Sequence, residues 1–434
     1  VSALFKKVIQ RASRLFRRSK KIPTNVILRS DHTISRSSIS PNALKVMYRL
    51  KDAGYEAFLV GGGVRDILLG RKPKDFDVAT NAHPDDVRRI FRNSRIIGRR
   101  FRLVHVFFGE EIIEVSTFRA NVAEDTRTET IIHAETGMIK RDNTYGTMEE
   151  DAWRRDFTVN ALYYNIADFS VVDYMHGMRD LKHKLIRMIG DPKQRYHEDP
   201  VRLLRAIRLS SKLQFDIEKE TESSLKTLSH LLKHVPPSRL FDECLKLFFE
   251  GNAWITYLQL MHYYYMDALF PQTTHVLRAK KNKVHEKLIE LAMKSTDTRV
   301  QMGDSVNPAF LLSVLLWPVL QGHISKMKNK KDKFYMRLHQ IIHDITKIQI
   351  DTMMIPKRLQ FAMQAIWILQ FQLVKRRPNR IMTIYQHRYF RAAVDFMALR
   401  IEAGEISSEH YDWWKQFASL DPEAQEKMIA SMRA

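Results

Sequence analysis

A chain of 434 residues is too long for one ordinary hydrophobic core, and its length implies roughly two to four domains. With 44% hydrophobic and 28% charged residues, the composition excludes extended disorder. The net charge of +22 turns the chain away from neutral metabolites and towards polyanions, nucleic acid first and an anionic membrane surface second.

Taken in chain order, Val1 to Ser30 carries basic residues and no acidic one. Leu4, Phe5, Val8, Ile9, Ala12, Leu15 and Phe16 recur at helical spacing, with Lys6, Lys7, Arg11, Arg14, Arg17 and Arg18 on the remaining turns. Such a segment suits a flexible or RNA-binding arm, a helix lying on a membrane, or a targeting peptide. It lacks the long apolar run of a secretory signal. Ser40-Pro41 then starts a helix that Gly54 ends. Short β-rich segments follow at Tyr55 to Val60, Asp75 to Ala79, Leu103 to Phe108 and Ile112 to Thr117, with helices expected at Val64 to Leu69 and Pro84 to Phe91. These make a small mixed α/β domain.

From Asn121 to Tyr145 the sequence is polar and without period, which predicts a mobile loop. After a β stretch around Val171 to Tyr174, leucine and aromatic residues at spacings of three and four predict helices through Arg433. Cys244, the only cysteine, excludes an internal disulfide and a Cys-based zinc cluster and suits a reducing, cytosolic setting. The apolar run Pro308 to Leu320 is shorter than the roughly 20 residues of a spanning helix and contains Pro318, so it reads as core. The lysine-rich stretch Lys326 to Lys333 is an exposed connection or an RNA contact.

The chemistry gathers near the amino-terminal third. Gly61-Gly62-Gly63-Val64-Arg65-Asp66 follows an apolar strand and opens a helix. Glycines there let backbone approach a ligand closely, and a helix start offers unpaired N–H groups to an anion such as a triphosphate, with Arg65 adding a charge-assisted contact. Asp75-Phe76-Asp77 lies shortly downstream. In a strand, alternate side chains share a face, so Asp75 and Asp77 would project together about 6 to 7 Å apart. Two carboxylates so held can bridge hard divalent cations, which activate an attacking hydroxyl and stabilise charge on a leaving pyrophosphate. Glu114, flanked by Ile113 and Val115 and close in sequence to Arg119, is the expected third carboxylate.

The stretch from Phe58 to Asp77, with Gly61-Gly62, Arg65-Asp66, Gly70 and Asp75-Phe76-Asp77, resembles the head motif of class II nucleotidyltransferases: bacterial poly(A) polymerases and the enzymes that build the CCA end of tRNA. Arg154-Arg155-Asp156-Phe157-Thr158-Val159-Asn160-Ala161-Leu162 resembles the ribose-reading segment of that superfamily, and Glu198-Asp199-Pro200-Val201-Arg202-Leu203-Leu204-Arg205 its base-reading helix. The stretch from Ile96 to Val106 resembles the block that marks the poly(A) polymerase branch, Asn42 to Leu50 fits that branch as well, and Val306 to Leu311 and Ile355 to Leu359 extend the resemblance almost to the carboxyl end. One departure is the carboxyl end, where some members carry a long basic tail and this sequence stops at Met432-Arg433-Ala434.

The resemblance implies an α+β protein, with a small polymerase-beta-like nucleotidyltransferase head over residues 40–165 after a basic arm at 1–39. A neck at 166–260 and a helical body and tail at 261–434, both RNA-binding, would follow. It implies Mg²⁺ or Mn²⁺ on Asp75, Asp77 and Glu114, and a nucleotide site built from Gly61, Gly62, Arg65, Arg119, Arg154, Arg155, Asp199, Arg202 and Arg205. Asp156 belongs near the metals or the sugar, and spacing does not separate those roles. Asp199 and Arg202, three apart on one helical face, would accept an exocyclic amine and donate to the adjacent ring nitrogen, a pattern that admits ATP and CTP and rejects UTP and GTP.

The expected activity is template-independent addition of AMP from ATP to RNA 3′ ends by a monomer. The expected location is the cytoplasm, with membrane association through the amino-terminal helix. CCA addition to tRNA is the alternative, and a non-catalytic RNA-binding protein the distant one. His339 and His343, four apart, read as an ordinary packed helix rather than a metal site, and His105 reads as structural.

Overall fold

The computed structural model describes residues 25–98, 102–120, 131–132, 139–141, 144–280, 283–327 and 334–432. The amino-terminal basic segment, most of the polar stretch 121–145 and most of the lysine-rich stretch 326–333 lie outside the described residues. The chain divides into two compact units, Val1–Arg195 and Tyr196–Ala434.

The first unit is built on an eight-stranded sheet of order β1-β10-β9-β2-β3-β6-β5-β4. Its strands are β1 Asn25–Ile27, β2 Ala57–Val60, β3 Asp77–Thr80, β4 Ser94–Ile97, β5 Leu103–Phe108, β6 Glu111–Thr117, β9 Leu162–Asn165 and β10 Val171–Asp173. A separate two-stranded ribbon pairs β7 Ile131–Ile132 with β8 Ile139–Arg141. Among the described residues only β3 and β6 pair in parallel within the large sheet; the other pairs are antiparallel. A parallel pair needs a crossover, and helix Pro84–Ile90 with the β4–β5 hairpin supplies it.

Helix Pro41–Asp52 starts as the sequence predicts: the Ser40 side chain accepts from the Asn42 amide and proline occupies the first turn. Its buried stripe, Ala43, Val46, Met47 and Leu50, packs on β2, β3 and β6. A core of Phe58, Val60, Ala79, Phe118, Ala152, Tyr163 and Ile189 lies beside the strand ends that carry the acidic residues. Strands β9 and β10 belong to the same sheet, so the first unit runs on to Arg195 rather than stopping at 165. Nothing in a local pattern of residues reveals that two late strands pair with two early ones.

The second unit is helical. Its central helix, Pro308–Ser325, is long and apolar enough to cross a membrane by length and composition, but Leu311 through Leu320 are buried. It packs against Pro271–Lys280, Lys283–Gln301 and Lys357–Lys375. Polar anchors fix its register: Trp367 Nε1 donates to the Ser313 carbonyl at 2.9 Å, and Trp317 Nε1 donates to Glu405 at 3.0 Å. The reading of this run as core holds, with the helix extending past the apolar stretch to Ser325.

Candidate active site

The first unit's site is a transverse row across the sheet. Backbone register sets Val60 opposite both Tyr163 and Asp77, Asp77 opposite Glu114, and Glu114 opposite His105. Residues in register on neighbouring strands project from the same face. Tyr163, Val60, Asp77, Glu114 and His105 therefore stand side by side on five adjacent strands. His105 Nε2 lies 3.5 Å from Glu114 Oε2.

Gly61 ends the strand that carries Val60, with φ of 73° and ψ of −135°. An L side chain rarely adopts that conformation. A Cβ there would sit 3.5 Å from Arg155 Nη1 and 3.9 Å from Asp77 Oδ2, so the turn brings backbone against both an acid and a cation. Helix Gly62–Leu68 follows, and its first-turn amides have no acceptor within the helix.

Asp75 precedes β3 instead of lying in it. The strand begins at Asp77, so the strict two-residue alternation expected for the pair is replaced by one strand carboxylate and one exposed carboxylate on the approach to it. The charge of Asp75 still reaches its neighbour. Burial first, then the charges of Glu114 and Asp75, push the Asp77 carboxyl up to about 6, against a lowering by Arg155. A carboxylate strained in this way by like charges suits a cation. Among the described residues no three His, Cys, Asp or Glu side chains are already gathered into a finished cation cluster. The donor set nonetheless fits a hard divalent ion, because all three donors are carboxylate oxygens.

Arg65 and Arg155 are engaged from within. Arg65 is buried, with Nε 2.8 Å from Asp66 Oδ1 and Nη1 donating to Asn160 Oδ1. Asn160 Nδ2 in turn donates to Asp156 Oδ1 at 3.0 Å, and Asp156 also accepts from the Phe157 amide at 2.8 Å. A chain of polar contacts thus joins the glycine-turn helix to the Asp156 segment. Arg155 donates to Tyr163 Oη at 2.8 Å and pairs with Asp151 at 3.1 Å, while Tyr163 Oη donates to Asp151 at 2.7 Å. Burial opposes the Arg155 charge, yet Tyr163 and Asp151 outweigh it and hold the guanidinium above its ordinary value. Arg119, lowered by burial and supported by Asp151, places its backbone N–H 3.3 Å from Asp151 Oδ1. Arg154 donates to the Ala120 carbonyl, and Arg195 ties the carbonyls of Arg154 and Arg155 at 2.7 and 2.8 Å.

Sequence reasoning passed over Asp151, Tyr163 and Asn160 as partners of the predicted residues. An acid four residues before an arginine is the signal the sequence offers, and Asp151–Arg155 has that spacing.

In the second unit Asp199 lies just before helix Val201–Leu213, not on its face, and Arg202 and Arg205 are in its first turns. Arg239, from helix Pro237–Phe248, grips Asp199 with two bonds of 2.8 Å, and Arg202 pairs with Glu198 at 3.2 Å. A bidentate arginine thus fixes the Asp199 carboxylate, and Glu198, one residue earlier, pairs with Arg202. His339 and His343 are exposed on helix Phe334–Thr352, whose buried face carries Leu338, Ile342 and Ile345.

Three family descriptions match the chain: a poly A polymerase head domain at residues 57–187, a probable RNA and SrmB-binding site of polymerase A at 214–277, and a polymerase A arginine-rich C-terminus at 331–434. Poly(A) polymerase I of Salmonella typhi is 46% identical over 408 residues, covering 93% of this chain and 88% of that protein. The chain belongs to the poly(A) polymerase I family. The Haemophilus influenzae member is 42% identical over 95% of this chain and 92% of its own length. The CCA-adding enzyme of Lactobacillus helveticus is 38% identical but over only 47% of this chain and 49% of that one. Among solved structures, the Bacillus stearothermophilus CCA-adding enzyme in complex with CTP aligns with a TM-score of 0.54 at 23% identity, over 91% of this chain and 82% of that one, which supports the fold. Family membership makes the chain a template-independent nucleotidyltransferase that adds adenylates, with CCA-adding enzymes as distant relatives.

Proposed function

We propose that Asp75, Asp77 and Glu114 hold divalent cations, Mg²⁺ or Mn²⁺, and that ATP is the adenylate donor to an RNA 3′ end, with pyrophosphate leaving. The observation that carries this reading is the register that sets Asp77 beside Glu114 with Gly61 against Asp77 Oδ2. Bound cations would supply Lewis acidity to the attacking hydroxyl and to the leaving phosphates. The protein's own part is positional. Asp77 and Glu114 fix carboxylate oxygens on adjacent strands, and the Gly61 turn leaves room for a phosphate where a side chain would intrude. Arg155 lends positive charge beneath that turn while Asp151 and Tyr163 keep it in place. Asp156, fixed by Asn160 and the Phe157 amide, is the residue assigned to the sugar.

On the second unit, the clamp of Arg239 on Asp199 presets the carboxylate assigned to an exocyclic amine. The test is extension of an unstructured RNA primer with each nucleotide triphosphate alone. Unlimited addition with ATP and none with UTP or GTP is the expected outcome; addition confined to tRNA ends, with CTP preceding ATP, would transfer the chain to CCA synthesis.

A further inference from the structure

Within the second unit, a cavity of about 440 Å³ opens between helices Phe334–Thr352 and Lys357–Lys375 and the segment from Arg377 to His387. Its volume falls in the range of pockets that enclose a small organic ligand, which starts near ~300 Å³. The lining joins three exposed cations, Lys375, Arg377 and Arg380, to the aromatic Tyr335, the amide of Gln372 and the apolar side chain of Ile368. Among the described residues no acidic residue lines it. Among the described residues none of the three cations has a carboxylate within ion-pair distance, although the next residue, Arg376, is paired with Glu409 at 2.7 Å. Lys375 instead places Nζ 4.6 Å from the centre of the Phe334 ring and 4.9 Å from that of Tyr335.

We propose that this cavity binds one nucleoside monophosphate unit, its phosphate on Lys375, Arg377 and Arg380 and its base against Tyr335 and Ile368, with Gln372 facing the base edge. The inference rests on the reading of the chain as an RNA-tailing enzyme only in naming RNA as a source of that unit. Cations interleaved with aromatic rings are the combination that holds unpaired nucleotides, because the phosphate satisfies the charge while every base offers a face to stack on. A membrane headgroup or a bare anion would use the arginines and leave the aromatic and apolar lining without purpose.

The experiment titrates the full chain, in chelator and without catalysis, with a labelled unstructured oligoadenylate, with free AMP, and with heparin as a polyanion that has no base. Wild type is compared with the double variant Arg377→Ala, Arg380→Ala and with Tyr335→Ala, circular dichroism confirming that each remains folded. Expected for RNA is an affinity loss of about tenfold in both, with the slope of log affinity against log salt reduced by about two in the arginine variant only. The same pattern with AMP rather than RNA identifies a free nucleotide as the source and equally supports the site. If Tyr335→Ala changes neither ligand, or the arginine variant weakens heparin as much as RNA, the cavity is a general cationic patch and the proposal fails. Because no turnover is measured, such a failure leaves the assignment of Asp75, Asp77 and Glu114 untouched. Loss of activity at those carboxylates is equally silent about the cavity.

Discussion

At Asp77 burial and two like charges act together against the carboxylate, with Arg155 opposing them. Its folded-state carboxyl titrates near 6, above the ordinary 3.8, because burial and then Glu114 and Asp75 disfavour the charge. A raised folded-state value means stability that is fully present below about pH 4 and lost as pH rises through 6. Replacing Asp77 by Asn removes that cost, so in chelator at pH 7 the head should be more stable to denaturant than wild type, by on the order of 3 kcal/mol. The difference should vanish towards pH 4; a variant less stable than wild type at pH 7 would mean the carboxylate is already compensated. Glu114→Gln should lower the rate of nucleotide addition by at least about a hundredfold with RNA affinity unchanged, as expected for a group that acts on transition-state charge rather than on binding. Gly61-Gly62, Asp77 and Glu114 were all visible in the sequence, since glycines after an apolar strand and acids flanked by apolar residues are local signals. Asp75 was misplaced by one structural step, since nothing local marks the strand as starting at Asp77 rather than at Asp75.

At the scale of elements, the site depends on which strands lie side by side. The sequence showed β5 with its observed bounds and β3 and β6 approximately, but not that β3 and β6 pair in parallel, nor that β9 joins β2 on the other side. Register across strands distant in sequence is a property of the folded sheet, and it is what sets Glu114 beside Asp77. The same holds for the Asp151–Arg155–Tyr163 triangle, in which Tyr163 comes from β9, a strand the local pattern did not show. Asp151→Ala would leave a part-buried guanidinium without its carboxylate; the expected destabilisation is about 3 kcal/mol in denaturant unfolding of the head. If Asp151→Ala unfolds at the wild-type midpoint, the triangle contributes no stability. Gly61→Ala, forced to a φ of 73° and into contact with Arg155, should cost about 1 to 2 kcal/mol and impair nucleotide addition together.

For the whole molecule, the charge of +22 is a statement about partners. RNA affinity should fall by several orders of magnitude from low to near-physiological salt, since phosphate contacts release counterions, and a flat salt response would remove the basic surface from the RNA track. The helical body was legible as a class from its spacing of three and four. Its polar anchors, Trp317 to Glu405 and Arg239 to Asp199, were not, because each ties a helix residue to an inter-helix residue far away in sequence. The most direct measurement is primer extension on unstructured RNA with ATP and Mg²⁺, run side by side for the wild-type chain and Asp77→Asn. A long adenylate tail from the first, and none from a variant that still binds RNA, is the predicted result; tails of equal length and rate from both would contradict the account.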